Sequence, residues 1–289
     1  MNLRIKQFIN LFIPPIFVKI YKNFKTLKFS FLSTINQISH NKKSIYILGN
    51  GPSLSKSIGL MKERLIENDC MVVNNFCNSI LFQEIKPRYY VIADPSNLGQ
   101  LDKLSTSLKL ETINIVESLS RVNWELILIV PDFAINSYLI NSLKNHNFIK
   151  IHFYNTKNIS KSSNKLENWE NNYIAPPAQT VLNTCVYLGI FLKYEEINIL
   201  GMDMSWHEDL ELDQKSNVLY ILDKHFYGTE RRLAVLDIEG KTPAKVHEYL
   251  QCSVNALRSF WELKEYADYK KIKIYNYSPH SWVDAFARK

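Results

Sequence analysis

Residues 44–55 read SIYILGNGPSLS, and this stretch decides the fold class. Ser44–Leu48 is short, apolar and rich in β-branched residues, as a strand buried on both faces of a parallel sheet would be. Gly49-Asn50-Gly51-Pro52-Ser53 then turns the chain, and a helical pattern begins at Leu54. Strand, glycine turn and helix together hold phosphate in α/β folds, because backbone N–H groups and the positive end of the helix face the anion. The spacing is not the dinucleotide fingerprint G-x-G-x-x-G, nor the phosphate loop G-x-x-x-x-G-K-[ST]. A nucleotide-binding turn of another kind remains, with the Asn50 amide at its tip and Gly49, Gly51 and Ser53 beside it.

Further strand candidates follow at Cys70–Val73, Tyr89–Ala93, Leu126–Val130, Ile149–Tyr154, Ile197–Leu200 and Ile272–Tyr275. Helical patterns fall at Leu54–Glu67, Phe76–Ile85, Phe133–Asn145, Thr180–Lys193 and Pro243–Tyr269. This alternation predicts an α/β fold with a mostly parallel sheet and helices on both faces. Residues 155–178 and 204–242 are long and polar, the form of lids or substrate-binding insertions. One main domain over residues 44–289 is expected, preceded by a separate segment, residues 1–43.

Composition narrows the partners. The 289 residues are 46% hydrophobic, enough for a full core, and the net charge is +7. A basic balance favours anionic partners, but no RNP sequence, zinc finger or basic recognition helix is present, so no nucleic-acid partner is expected. Cys70, Cys77, Cys185 and Cys252 show no C-x-x-C spacing and read as reduced core thiols of a cytoplasmic protein. No run reaches the ~18 apolar residues of a membrane span. Leu3–Thr26 interleaves bulky apolar residues with Arg4, Lys6, Lys19, Lys22 and Lys25, and Pro14-Pro15 divides it. It reads as an interfacial segment on an anionic membrane, here the inner face of the cytoplasmic membrane. A basic helix packed on the domain is the other reading.

In an open parallel sheet, ligands bind beyond the carboxyl ends of the strands. Those ends carry Asn50, Asn74, Asp94-Pro95-Ser96, Gly201-Met202-Asp203 and Asn276 in turn. One asparagine after a strand is an ordinary turn residue; several at one edge point to a ligand. Asp203 reads either as a ligand contact or as a cap. Asp209, Glu211 and Asp213 alternate in the second long loop, and a solvated face explains them better than a metal site; no metal or other cofactor is expected.

The blocks ILGNGPSL (47–54), VVNNF (72–76), YVIADPS (90–96), AQTVLNTCVYLGIFLKYEEINILGMD (178–203) and KIKIYNYSPHSWVDAF (271–286), taken in order, resemble the small bacterial lipooligosaccharide sialyltransferases that use CMP-activated sialic acid. They also resemble the wider group that shares their nucleotide-binding half, including motility-accessory-factor glycosyltransferases and hydroxymethylpterin diphosphokinase-like domains. The resemblance implies a Rossmann-like variant of the glycosyltransferase-A fold and metal-independent transfer of sialic acid, or a related nonulosonate or Kdo-type sugar, from a CMP-sugar donor. It implies a glycan or lipid-linked glycan acceptor, in surface-polysaccharide assembly, and a homo-oligomer. It carries phosphate contacts to Asn50, with Gly51 and Ser53, and further donor contacts to Asn74. Asp94 stands where the sialyltransferases have Asn. Gln179-Thr180 match the turn before the long apolar helix. Ser205-Trp206 stand where that family has phosphate-holding tyrosines, so Tyr220, His225 or Tyr227 takes that role.

A histidine suits the task of taking a proton from an acceptor hydroxyl near neutral pH. His247 is the best positional match to the family's base, with His225 and His207 as alternatives and His280 also weighed. Arg231-Arg232 can hold an anionic carboxylate. Two other functions fit the same residues: a diphosphokinase-like phosphotransferase, and a non-catalytic nucleotide-binding scaffold at a membrane.

Overall fold

The computed structural model describes residues 33–156, 165–171, 174–176, 179–226, 228, 230–236 and 242–289. The basic amphipathic stretch Leu3–Thr26 and Tyr227 lie outside the described residues. Within them, no helix is long and apolar enough to cross a membrane.

The glycine-turn segment forms as its pattern predicts. Ser44–Leu48 is strand β1 and Leu54–Glu67 is helix α1. The chain continues through β2 (Asp69–Val73), α2 (Ile80–Ile85), β3 (Tyr89–Val91), α3 (Thr106–Ser120), β4 (Leu126–Pro131), α4 (Tyr138–Leu143) and β5 (Ile149–Tyr154). Then follow α5 (Lys165–Glu170), α6 (Val181–Phe191) and β6 (Glu196–Leu200). After three short strands, β7 (Leu210–Leu212), β8 (Leu219–Lys224) and β9 (Glu230–Ala234), come α7 (Val246–Tyr269), β10 (Lys273–Asn276) and β11 (Ala287–Arg288).

Eight strands form one sheet in the order β11-β10-β6-β1-β2-β3-β4-β5, and every pairing in it is parallel. The protein therefore has the Rossmann-like α/β fold. Alternate strand residues feed two cores, because side chains of a strand point to opposite faces. Ile45, Ile47, Met71 and Val91 pack with α6 and α7 on one face. Tyr46, Leu48, Val72, Tyr90 and Leu128 pack with α1 to α4 on the other. Burial on both faces is why these strands read as unbroken apolar runs.

Several predicted elements change on folding. Phe76–Ile85 is a 3-10 turn (Asn74–Asn78) followed by α2, which is capped by the Ser79 hydroxyl on the Leu81 amide. Phe133–Asn145 divides in the same way into a 3-10 turn (Asp132–Asn136) and α4 behind the Ser137 cap. The last long helix starts at Val246, three residues beyond Pro243. Helix α3 has no counterpart in the predicted list. Its Leu108-Lys109-Leu110 and Ile113-Asn114-Ile115 alternate as a strand does, while its buried residues, Thr112, Ile115, Val116 and Leu119, follow helical spacing. Residues 33–43 also pack on the sheet: Ile35 is fully buried, and the His40 ring stacks on Tyr194 at 3.8 Å. Residues 33–43 are thus packed on the body that starts with β1.

The second long insertion is not an open loop. Strands β7, β8 and β9 form an antiparallel sheet of their own. Its end is tied to the glycine turn, where the Phe226 amide donates to the Asn50 carbonyl at 3.1 Å. The Phe226 ring also lies 5.3 Å from that of Phe76.

Candidate functional site

The strand order reverses at β1. Strands β2 to β5 extend to one side of it, and β6, β10 and β11 to the other. Beyond the carboxyl ends of β1 and β6 lies a cavity of about 440 Å³, at the crevice where open α/β sheets bind ligands. Asn50 and Gly51 border it from β1, Asn74 from β2 and Asp94 from β3. Gln179 and Thr180, at the positive end of α6, form another wall. Asp203, Ser205, Trp206 and Asp209 follow from β6, while Leu222, Lys224 and His225 come from the small sheet above.

The glycine turn is tied to the exit of β6. The Gly49 amide donates to Leu200 O at 2.8 Å and the Gly51 amide to Gly201 O at 3.1 Å. The Ser53 amide donates to Asp203 Oδ2 at 2.8 Å, and the Ser53 hydroxyl donates to Asp203 Oδ1. Leu54 N–H is taken by Gly51 O. These bonds correct the expectation that the turn and the start of α1 cradle a phosphate. The Asp203 carboxylate already sits at the positive end of α1, and a phosphate there would meet like charge. Asp203 is thus a cap with one edge on the cavity, and Gly49 and Ser53 do not border the cavity.

Asn50 presents a different chemistry from the one expected of it. Its Nδ2 donates to Val73 O at 3.3 Å, which fixes the amide's orientation. Its Oδ1 is buried with no partner, as is Oδ1 of Asn74. Asn74 holds φ +43, a region that Asn tolerates, and its carbonyl accepts from the Tyr90 hydroxyl. Two residues that border the cavity thus each carry a buried acceptor with no donor.

Lys224 is the sole Lys or Arg side chain on the cavity among the described residues. Its Nζ lies 2.6 Å from Asp209 Oδ1. Sequence reasoning missed Lys224, because nothing in a loop reading shows that β8 runs back over the strand ends. His225 follows it onto the cavity.

The other candidates are placed elsewhere. His247 is exposed in the first turn of α7 and does not border the cavity. His207 lies off the cavity, its ring edge-on to Trp282 at 4.1 Å. The Ser96 hydroxyl donates to Asp94 Oδ1 at 2.7 Å and does not reach the cavity. Arg232 is taken up by Glu211, with both bonds at 3.0 Å, and lies over the Tyr220 ring. The alternating carboxylates go separate ways: Asp209 to Lys224, Glu211 to Arg232, and Asp213 to the amides of Lys215 and Ser216. Among the described residues, no three His, Cys, Asp or Glu side chains converge as metal ligands.

Burial raises the pKa of Asp203 above its ordinary value of 3.8, against the opposing pull of the Ser53 hydrogen bonds. The folded state thus holds the proton more tightly than the unfolded chain does. That contribution to stability is fully present below pH 3.8 and is lost as pH rises through the folded value. Asp203→Asn removes this dependence. The stability gap between wild type and variant, read from urea midpoints, should therefore shift in favour of the wild type as pH falls towards 4. A gap that stays flat across that window rejects the assignment.

No curated protein matches this sequence. A solved MAf glycosyltransferase from Magnetospirillum magneticum shares the fold, with a TM-score of 0.51 at 11% identity. The alignment covers 87% of this chain but 34% of that one, so this chain spans about a third of its neighbour's length. The sequence model of the family described as 6-hydroxymethylpterin diphosphokinase MptE-like matches residues 19–209, ending where the small antiparallel sheet begins. With about two thirds of its length matched, from ahead of β1 to the Asp209 turn, the chain belongs to this MptE-like family.

Proposed function

We propose that the protein is a glycosyltransferase that binds a nucleotide-activated sugar in the cavity at the ends of β1 and β6. The observation that carries the reading is the pairing of two walls. Asn50 and Asn74 offer unpartnered buried acceptors for ribose, base or sugar donors. Lys224 adds a positive charge to the same cavity. The fold shared with a MAf glycosyltransferase supports the reading, and the sequence blocks favour a CMP-activated nonulosonate as donor.

In the reaction, the acceptor oxygen bonds to the anomeric carbon as the bond from that carbon to the phosphate oxygen breaks. The phosphate leaves with the electron pair. Lys224 and the positive end of α6 offset the charge growing on it. The acceptor hydroxyl gives its proton to His225, the one histidine on the cavity among the described residues.

The family's description favours a second reading, a diphosphokinase working on a magnesium nucleotide. The cavity carboxylates suit a resident cation poorly. Asp203 is bonded to Ser53, Asp209 to Lys224 and Asp94 to Ser96.

Nucleotide release separates the two readings. The protein is incubated with CMP-, UDP- and GDP-sugars and with ATP, with and without EDTA. Release of CMP that survives chelation is the expected result. AMP or ADP released from ATP only with magnesium would replace the proposal by the second reading.

A further inference from the structure

The turn that follows Asp203 joins the cavity to a second surface. Trp206 borders the cavity and is 42% exposed. Two residues on, Glu208 accepts from the Trp282 indole N–H at 2.5 Å and meets His280 Nε2 at 3.0 Å with both oxygens. Trp282 is 47% exposed, yet it is fixed in place. Its amide donates to the Asp203 carbonyl at 2.8 Å, and the His207 ring meets it edge-on. The Trp282 indole is therefore held in place beside the Glu208 carboxylate and the His280 imidazole, and the turn that carries Glu208 also carries Trp206 onto the cavity.

We propose that Trp206, Trp282, Glu208 and His280 form a saccharide-binding platform that seats the acceptor beside the donor cavity. A pyranose ring has an apolar C–H face and a rim of hydroxyls. Indoles offer flat, rigid apolar area at little cost in side-chain entropy, and a carboxylate makes strong hydrogen bonds to hydroxyls. A docked protein would call for something else, since charged residues are depleted at the centre of protein interfaces. Here Glu208, which also meets His280, is bonded to the Trp282 indole. Continuity with the cavity through Trp206 assigns the sugar the acceptor's place. That assignment rests on the glycosyltransferase reading; saccharide binding itself does not.

The test is direct binding without any donor. Glucose, galactose, N-acetylglucosamine, lactose and cellobiose are titrated into the 15N-labelled full chain, and the indole N–H resonances are followed. At least one sugar should shift the Trp206 and Trp282 signals and leave those of Trp124 and Trp169 in place. Trp282→Ala and Trp206→Ala should each weaken that sugar by about tenfold or more. Glu208→Gln, which keeps an acceptor for the Trp282 indole, should weaken it less while preserving the fold. No indole shift with any of the five sugars overturns the platform, as does unchanged affinity in the Trp206→Ala/Trp282→Ala double variant. Sugar binding by a protein that releases no nucleotide would uphold the platform and sink the glycosyltransferase reading. Chelation-resistant CMP release without sugar binding would do the reverse.

Discussion

Gly201→Ala should cost about 3 kcal/mol or more in stability, while the same change at Gly59 should add about 0.5–1 kcal/mol. Gly201 holds φ +69, where a side chain carries strain. A Cβ there would also lie 2.6 Å from Gly49 O and 3.0 Å from Leu54 Cβ. Neither atom can swing away. The first is backbone of the β1 turn, and the second is the root of a fully buried side chain at the start of α1. The reverse clash exists too, since a Cβ at Gly49 would fall 2.4 Å from Gly201 O. The two strand exits touch backbone to backbone, and Gly49 N–H to Leu200 O and Gly51 N–H to Gly201 O knit that contact. Gly59 lies on the exposed side of α1 with nothing within 4 Å of its Cβ position. There alanine only removes freedom from the unfolded chain and raises helix propensity. Urea midpoints of the two variants against wild type give the comparison. A Gly201→Ala protein as stable as Gly59→Ala would show that the strand exits are not in contact.

This glycine pair marks how far the sequence could be read. GNGPS was legible as a turn after a strand, and the parallel sheet followed from unbroken apolar runs at Ser44–Leu48 and Ile197–Leu200. The partners of the turn were not legible. That Gly49 meets Gly201, and that Asp203 caps the start of α1, are contacts across some 150 positions, which no local pattern encodes. Asn50, Asn74, Asp94 and Asp203 reach the cavity because the rule of strand ends is topological and needs only the strand order, although Ser96 and Asn276, chosen by the same rule, do not; Gln179, Thr180, Ser205 and His225 came from the resemblance. His247 did not reach the cavity, because its placement relied on matching a position along a helix whose start lies three residues later than predicted. Lys224 escaped notice because Leu219–Lys224 (LYILDK) pairs only with its own insertion. A short strand set between polar stretches reads as part of the loop.

The same reasoning sets two changes at the cavity in opposite directions. Lys224→Met should weaken CMP binding by roughly 10- to 100-fold, the range of a charge-assisted hydrogen bond of about 1.5–3 kcal/mol. Asp209→Asn should strengthen it by severalfold, because the carboxylate that now holds Lys224 Nζ at 2.6 Å competes with the incoming phosphate. Both side chains are partly exposed, with 33% and 25% of their surface accessible. Neither change should move the thermal midpoint by more than a few degrees, since exposed ion pairs add little to stability. Asn50→Ala separates the two walls. It removes an acceptor rather than a charge, so it should weaken CMP by about tenfold and leave inorganic pyrophosphate unaffected. Lys224→Met should weaken both. Calorimetric titration of CMP and of pyrophosphate into the three variants reads out this pattern. If Asn50→Ala lowered pyrophosphate affinity as much as Lys224→Met does, the phosphate would sit at the glycine turn after all. The Gly51 and Ser53 amides would then have to leave Gly201 and Asp203 when ligand binds, and the caps that hold α1 to β6 would be the moving part of the site.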